Sequence, residues 1–213
     1  MNTINQKRSM TSRVATAIMA ASSNGDVLVD APDGESLARS YQFVVEHLQH
    51  AAALGDVGAR NDLAIMLLEP AVGEPDYNTA AKLLLESARH RDVEGMFLLG
   101  LLLLDEYYSG VYKHRTFRLW REAASAGMPI AQHGLALLFE KGLGTTASEA
   151  EAIRWYKRAL DGGVDQRLAR LLEGLFLLIE TASAPEIDEV RSTPNTDHIA
   201  TMEFERIPSS AVF

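Results

Sequence analysis

The 213-residue chain contains no cysteine, which removes disulfides and thiolate chemistry together. That absence suits any compartment, but it takes away the usual mark of an oxidising one. Long apolar runs are also missing. Met96–Leu104 (MFLLGLLLL) and Leu175–Ile179 come closest, and both fall well short of the ~20 residues a membrane-spanning helix requires. Positive charge is scarce: 20 Lys and Arg face 29 Asp and Glu, a net charge of −9. Such a chain lacks the basic surface that non-specific nucleic-acid or anionic-membrane binding needs.

Catalytic signatures are absent as well. The chain has no Walker-type glycine loop, no Gly-x-Ser-x-Gly elbow and no His-Glu-x-x-His. Gly142–Leu143–Gly144 joins two helical stretches instead of following a strand, so it is a turn and not a dinucleotide fingerprint. His47 and His50 sit at i, i+3 beside Glu46, but a structural or catalytic metal site needs three or four ligands. They read as surface histidines. No catalytic residue, metal or cofactor is expected. The 47% hydrophobic content is ordinary and can furnish a core.

What the chain does hold is a period, clearest from Pro129 to Gly163. Pro129 suits the first turn of a helix, where its missing N–H is no loss. Ala131, Leu135, Ala136 and Phe139 then form one apolar helical face. Gly142 and Gly144 break that helix, and Ser148 followed by Glu151 is a capping-box start for the next. Ile153, Trp155, Tyr156 and Ala159 give the second helix its apolar face before Gly162–Gly163. Two short amphipathic helices need neighbours, and a shift of 36 residues finds them. Leu135–Ala136 maps to Leu99–Gly100 and Leu63–Ala64. Tyr156 maps to Trp120 and Leu84, and Ala159 to Ala123 and Ser87. The closing Gly163 maps to Gly127, to Arg91 (a mismatch) and to Gly55.

These residues resemble the Sel-1-like repeat family. Its pattern runs small-x-x-x-Leu-Gly/Ala-x-x-aromatic, a Gly-x-Gly turn, a polar cap, Trp-Tyr, Ala-Ala and a final Gly. Pro129–Gly163 matches nearly throughout, and Val93–Gly127 matches with Gly110 in its turn. Val57–Arg91 is a degenerate copy keeping Gly73, Asp76 and Ala80–Ala81. The tetratricopeptide repeat, with a period of about 34 residues, does not fit. The resemblance covers roughly residues 36–180. It implies an all-α fold, a right-handed α-solenoid of antiparallel helix pairs. It also implies a non-enzymatic protein–protein interaction module, an adaptor or scaffold of a kind frequent in bacteria.

The expected organisation is an N-terminal arm over 1–35 and a solenoid over 36–180. Within the solenoid, a half repeat (36–56) precedes repeats at 57–92, 93–128 and 129–164, and a capping helix covers 165–180. An acidic, Pro-containing tail occupies 181–213, either extended or docked back on the solenoid. Lys7, Arg8 and Arg13 precede the apolar stretch Val14–Ala21, at the lower limit of the ~7–15 residues of a signal-peptide core. The arm therefore reads as disordered in a cytoplasmic protein, with export through a weak leader as the alternative.

In a helical solenoid the first helix of each pair lines the concave, partner-binding side. The candidate partner-binding residues are the variable positions there: Arg60 and Asn61, Met96 and Phe97, Gln132 and His133. Met96 and Phe97 lie on a helix that is apolar all round, which is either buried on every side or a greasy patch for a partner. Tyr107 and Tyr108 join the candidates because tyrosines cluster at recognition surfaces. Lys82, Arg118 and Arg154 recur at the repeat spacing and read as a solvated convex ridge. Leu171–Ile179 serves as a cap or as a homodimer seam. An immunity-type inhibitor of a cognate toxin and a translocated effector are alternative functions, and a hydrolase is a remote one.

Overall fold

A computed structural model describes residues 34–69, 74–104 and 112–182. These form eight helices and, among the described residues, no strand: α1 (Gly34–Ala53), α2 (Val57–Leu67), α3 (Tyr77–Arg89), α4 (Val93–Leu103), α5 (Lys113–Ser125), α6 (Pro129–Lys141), α7 (Glu149–Asp161) and α8 (Gln166–Ala182). Helices consecutive in the chain pack on one another from α1 to α7, and the first helices of successive repeats also touch, α2 with α4 and α6 with α8. The result is an all-α solenoid of helix pairs. Apart from their inner edges, the N-terminal arm, the weak leader and the C-terminal tail lie outside the described residues.

Every junction between repeats is built the same way. The N–H groups of Asp56, Asp92, Met128 and Val164 donate to the carbonyls of Ala51, Ser87, Ala123 and Ala159, at 2.9–3.2 Å. Those of Gly55, Arg91, Gly127 and Gly163 donate to the carbonyls of Ala52, Ala88, Ala124 and Leu160. This pair of bonds is the Schellman closure of a helix, and it needs a left-handed residue just past the last turn. All four residues there have positive φ: 95° at Gly55, 59° at Arg91, 97° at Gly127 and 75° at Gly163. A Cβ on any of the three glycines would meet nothing within 4 Å, so glycine is present for its backbone freedom and not for space. Arg91, the mismatch in the pattern, keeps the conformation and bears the strain.

At the first two junctions the residue after the reversal caps the next helix. Asp56 accepts from the Ala59 N–H at 3.0 Å and Asp92 from that of Gly95 at 2.6 Å. At the third junction Met128 makes no side-chain cap, and Pro129 at the helix start removes one donor that would need capping. Within repeats, the Asp76 and Ser148 N–H groups each donate to a carbonyl near the end of the preceding helix, Leu67 and Phe139, both at 2.9 Å.

The interior centres on Trp120, which is fully buried. Its indole Nε1 donates to the Phe97 carbonyl at 3.0 Å, and its rings stack on Phe97 with centroids 5.0 Å apart. Thr116, one turn earlier on α5, donates to the Gly100 carbonyl at 3.1 Å. The indole lies between two helical glycines: a Cβ on Gly100 would run into its Nε1 edge, and one on Gly134 would approach its benzo ring to 2.7 Å. One repeat earlier the positions of Trp120, Gly100 and Gly134 hold Leu84, Ala64 and Leu98, all buried. Smaller helix positions thus offset a larger side chain, as a close-packed interior demands. Ala64, Gly100 and Ala136 are all buried, as the shared-core reading requires.

Two outcomes follow for stability. Arg91→Gly should raise it by about 1 kcal/mol, the strain of an L-residue in the left-handed region, and Gly127→Ala should lower it by a similar amount; urea unfolding measures both. Gly134→Ala should destabilise by ~1–3 kcal/mol through overpacking, despite alanine's better helix propensity, and should cost much less in a Trp120→Leu background. A double-mutant cycle showing no coupling between positions 120 and 134 would refute the interlock.

Candidate functional site

At its C-terminal end the solenoid carries a cleft of ≈ 250 Å³ lined by Leu137, Glu140 and Lys141 of α6, Tyr156 of α7, and Glu173, Phe176 and Leu177 of α8. The lining obeys the repeat. Leu137 and Glu173, Glu140 and Phe176, and Lys141 and Leu177 are each 36 apart, so two successive first helices present the same register to one another. Leu137 and Phe176 are buried and form the floor, whereas Leu177 is 60% exposed at the rim. In the earlier repeats the Glu140 position is Leu68, buried, and Leu104, half-buried. Charge enters this apolar row only at Glu140, and the cap returns it to Phe176.

The polar groups form a linked set. Tyr156 donates its hydroxyl to Glu140 Oε2 at 2.8 Å, and Lys141 Nζ lies 3.3 Å from Glu140 Oε1. Burial and then the Glu140 carboxylate push the Tyr156 phenol well above its ordinary pKa, so it remains a donor at physiological pH. Behind the cleft, His133 is 8% exposed and meets the Tyr156 ring edge-on at 5.0 Å. Its Nε2 stands 3.1 Å from Glu173 Oε1 without the alignment of a hydrogen bond. Burial holds the imidazole below its usual pKa, against the upward pull of Glu173 and Glu140.

Of the residues expected to meet a partner, most turn inward. Phe97 is wholly buried against Trp120, and Met96 is buried beside it. Between the two readings of that apolar helix, burial on every side is the one observed: α3 and α5 pack against it and α2 touches it. Asn61 is 1% exposed and donates its Nδ2 to Asp92 Oδ2 at 2.7 Å, bracing the cap of the following repeat. Gln132 is buried and donates to the Ala124 carbonyl at 3.1 Å, near the end of α5 where helix carbonyls lack helical partners. As surface contacts, Met96, Phe97, Asn61 and Gln132 are therefore corrected to interior positions. Arg60 is half-buried with its Nη1 enclosed and without a hydrogen bond. Tyr107 and Tyr108 lie outside the described residues.

Among the described candidates His133 alone adjoins the cleft. The exposed residues lie two turns further along the same helical stripe, at 140 and 141, past the buried Leu137. The signal available in the sequence was the change from Leu68 and Leu104 to Glu140 at one repeat position. Leu171–Ile179 commits Leu172, Leu175, Phe176 and Ile179 to the chain's own core and leaves Leu177 exposed. Among the described residues no three His, Asp or Glu side chains gather as for a metal, and no helix is long and apolar enough to cross a membrane.

The depressed imidazole has a measurable consequence. The unfolded chain takes up a proton at this histidine near pH ~6.5, while the folded chain resists it, so its contribution to stability is lost as pH falls below that value. The urea midpoint of the wild type should accordingly drop more between about pH 7 and about pH 5 than that of His133→Gln, which cannot titrate. Parallel curves for the two proteins would show that burial does not hold His133 neutral.

Comparison with known families places this geometry. The Sel1 repeat matches residues 58–92, 93–128 and 129–164, and each match closes on one of the left-handed reversals or the residue after it. No curated protein matches the chain. With three consecutive repeats spanning half of its length, and the helix pairs stacked as the repeat requires, the chain belongs to the Sel1 repeat family.

Proposed function

We propose that the chain is a non-enzymatic protein–protein interaction module, an adaptor or scaffold, whose partner docks in the cleft formed by α6, α7 and α8. Sel1 repeats generally mediate protein–protein interaction. The observation that carries the reading to this site is the combination of an apolar floor, an exposed rim leucine and half-exposed carboxylates at the end of the helical stack. A rigid pocket with few anchors is how a small interface concentrates its binding energy.

Converging ionisable groups are also what a hydrolase would need, and the cleft is weighed against that. His133 lies behind Glu173 and does not line the cleft. The Tyr156 phenol keeps its proton, and Glu140 is engaged by both Tyr156 and Lys141. Proton transfer needs a base free to reach substrate; groups that hold one another make a shaped surface.

The full chain, immobilised and exposed to an extract of its native host, should retain a partner that Leu177→Glu loses and that Leu54→Glu keeps. Leu54 is also highly exposed but lies between α1 and α2, at the other end of the solenoid. Quantitative mass spectrometry of the eluates reads the difference. A partner retained equally by both variants would remove the cleft from the interface. A single stoichiometric toxin, inhibited on binding, would replace the scaffold reading with the immunity-type one.

A further inference from the structure

We propose that the cleft receives an arginine side chain of the partner protein. This rests on the interaction-module reading and specifies the chemistry of one contact within it. Size comes first. At ≈ 250 Å³ the cleft lies below the ~300–1,000 Å³ typical of cofactor and small-molecule pockets. It suits a single side chain.

The walls then choose which one. Leu137, Phe176 and Leu177 offer apolar surface along which a methylene stem can lie. Glu140 and Glu173 keep 46% and 51% of their side chains exposed, so Glu173 stays open to an incoming cation, while Glu140, engaged on both oxygens, can only share its charge with one. Glu140 already accepts a cation, the Lys141 ammonium at 3.3 Å, while its other oxygen is held in place by the Tyr156 hydroxyl. Glu173 faces His133, whose buried Nε2 has no hydrogen bond and is kept neutral by its surroundings. A guanidinium matches this set better than an ammonium. Its planar fork presents five N–H donors that can bridge carboxylates on two helices, and its face can lie on the Tyr156 or Phe176 ring.

The chain's own tail is a poor occupant. Beyond Ala182 it carries six acids against Arg191 and Arg206, and like charge opposes its approach to two carboxylates. With a net charge of −9 the whole molecule instead draws a basic partner.

The test is a titration of the ¹⁵N-labelled full chain with N-acetyl-arginine methylamide and, separately, its neutral isostere N-acetyl-citrulline methylamide, followed by NMR. The arginine probe should shift amides of residues 137–141, 156 and 173–177 saturably, with roughly millimolar affinity, and the citrulline probe should bind about tenfold more weakly or worse. Glu173→Gln should weaken the arginine probe by about tenfold, and so should raising salt from about 50 mM to about 500 mM. Equal binding of both probes would overturn the arginine assignment while leaving the cleft a docking site for a neutral group. Binding of neither at these residues would overturn it together with the choice of this cleft, whereas the module reading itself stands or falls on the extract experiment with Leu177→Glu. Arg191→Gln combined with Arg206→Gln should leave the cleft amides unmoved without any probe; a shift there would show that the tail fills it and would sink the proposal.

Discussion

The chain must reverse direction after every second helix with the same geometry, and one left-handed residue makes that possible. Gly55, Arg91, Gly127 and Gly163 hold it at four junctions, and the paired hydrogen bonds around each set the angle at which the next helix leaves. Because the angle repeats, first helices come to lie beside first helices, and residues 36 apart face one another across the stack. The cleft is a direct product of that regularity. Leu137 and Glu173, and Glu140 and Phe176, line it together; the junction at Gly163 has the backbone bonds of the one at Gly127, but α8 packs on α6 instead of on α7.

Volume is the second constraint. A bulky indole in the middle repeat is compatible with the common backbone only because Gly100 and Gly134 withdraw their side chains from it. Trp120 is further covered by Phe176 of α8, ring centroids 6.1 Å apart. Tyr156 stands at the corresponding place one repeat later, and its equivalent of Gly134 is the exposed Arg170. It is therefore half-buried, with its ring inside and its hydroxyl at the cleft. A phenol suits that boundary, since one end is apolar and the other finds a carboxylate. The opening of the core at the end of the stack is what converts a packing position into a binding surface.

Electrostatics are arranged in the same spirit. Asn61 and Asp92 join neighbouring repeats through a cap, and Gln132 satisfies a carbonyl near the end of α5. These polar groups sit at positions that look like groove contacts when the helices are drawn separately. Inside the stack Asn61 braces the capping carboxylate of Asp92, and Gln132 gives the Ala124 carbonyl a second donor beside the Gly127 N–H. His133 differs in its neighbour: enclosed like them, it stands beside a carboxylate of the cleft, Glu173, at 3.1 Å.

The repeat length, the helix pairs, the caps at Asp76 and Ser148 and the reversals could be read from the chain alone, because each depends on residues close in sequence. Even the Arg91 mismatch leaves the junction recognisable, since its neighbours in the pattern are intact. Exposure could not be read that way. Asn61, Phe97 and His133 occupy one repeat position on three helices, and their surroundings come from other elements: Asp92 for the first, Trp120 for the second, Tyr156 and Glu173 for the third. Whether such a side chain meets water or a neighbour is set by what lies over it, and that follows from the stacking of whole helices instead of from any local pattern.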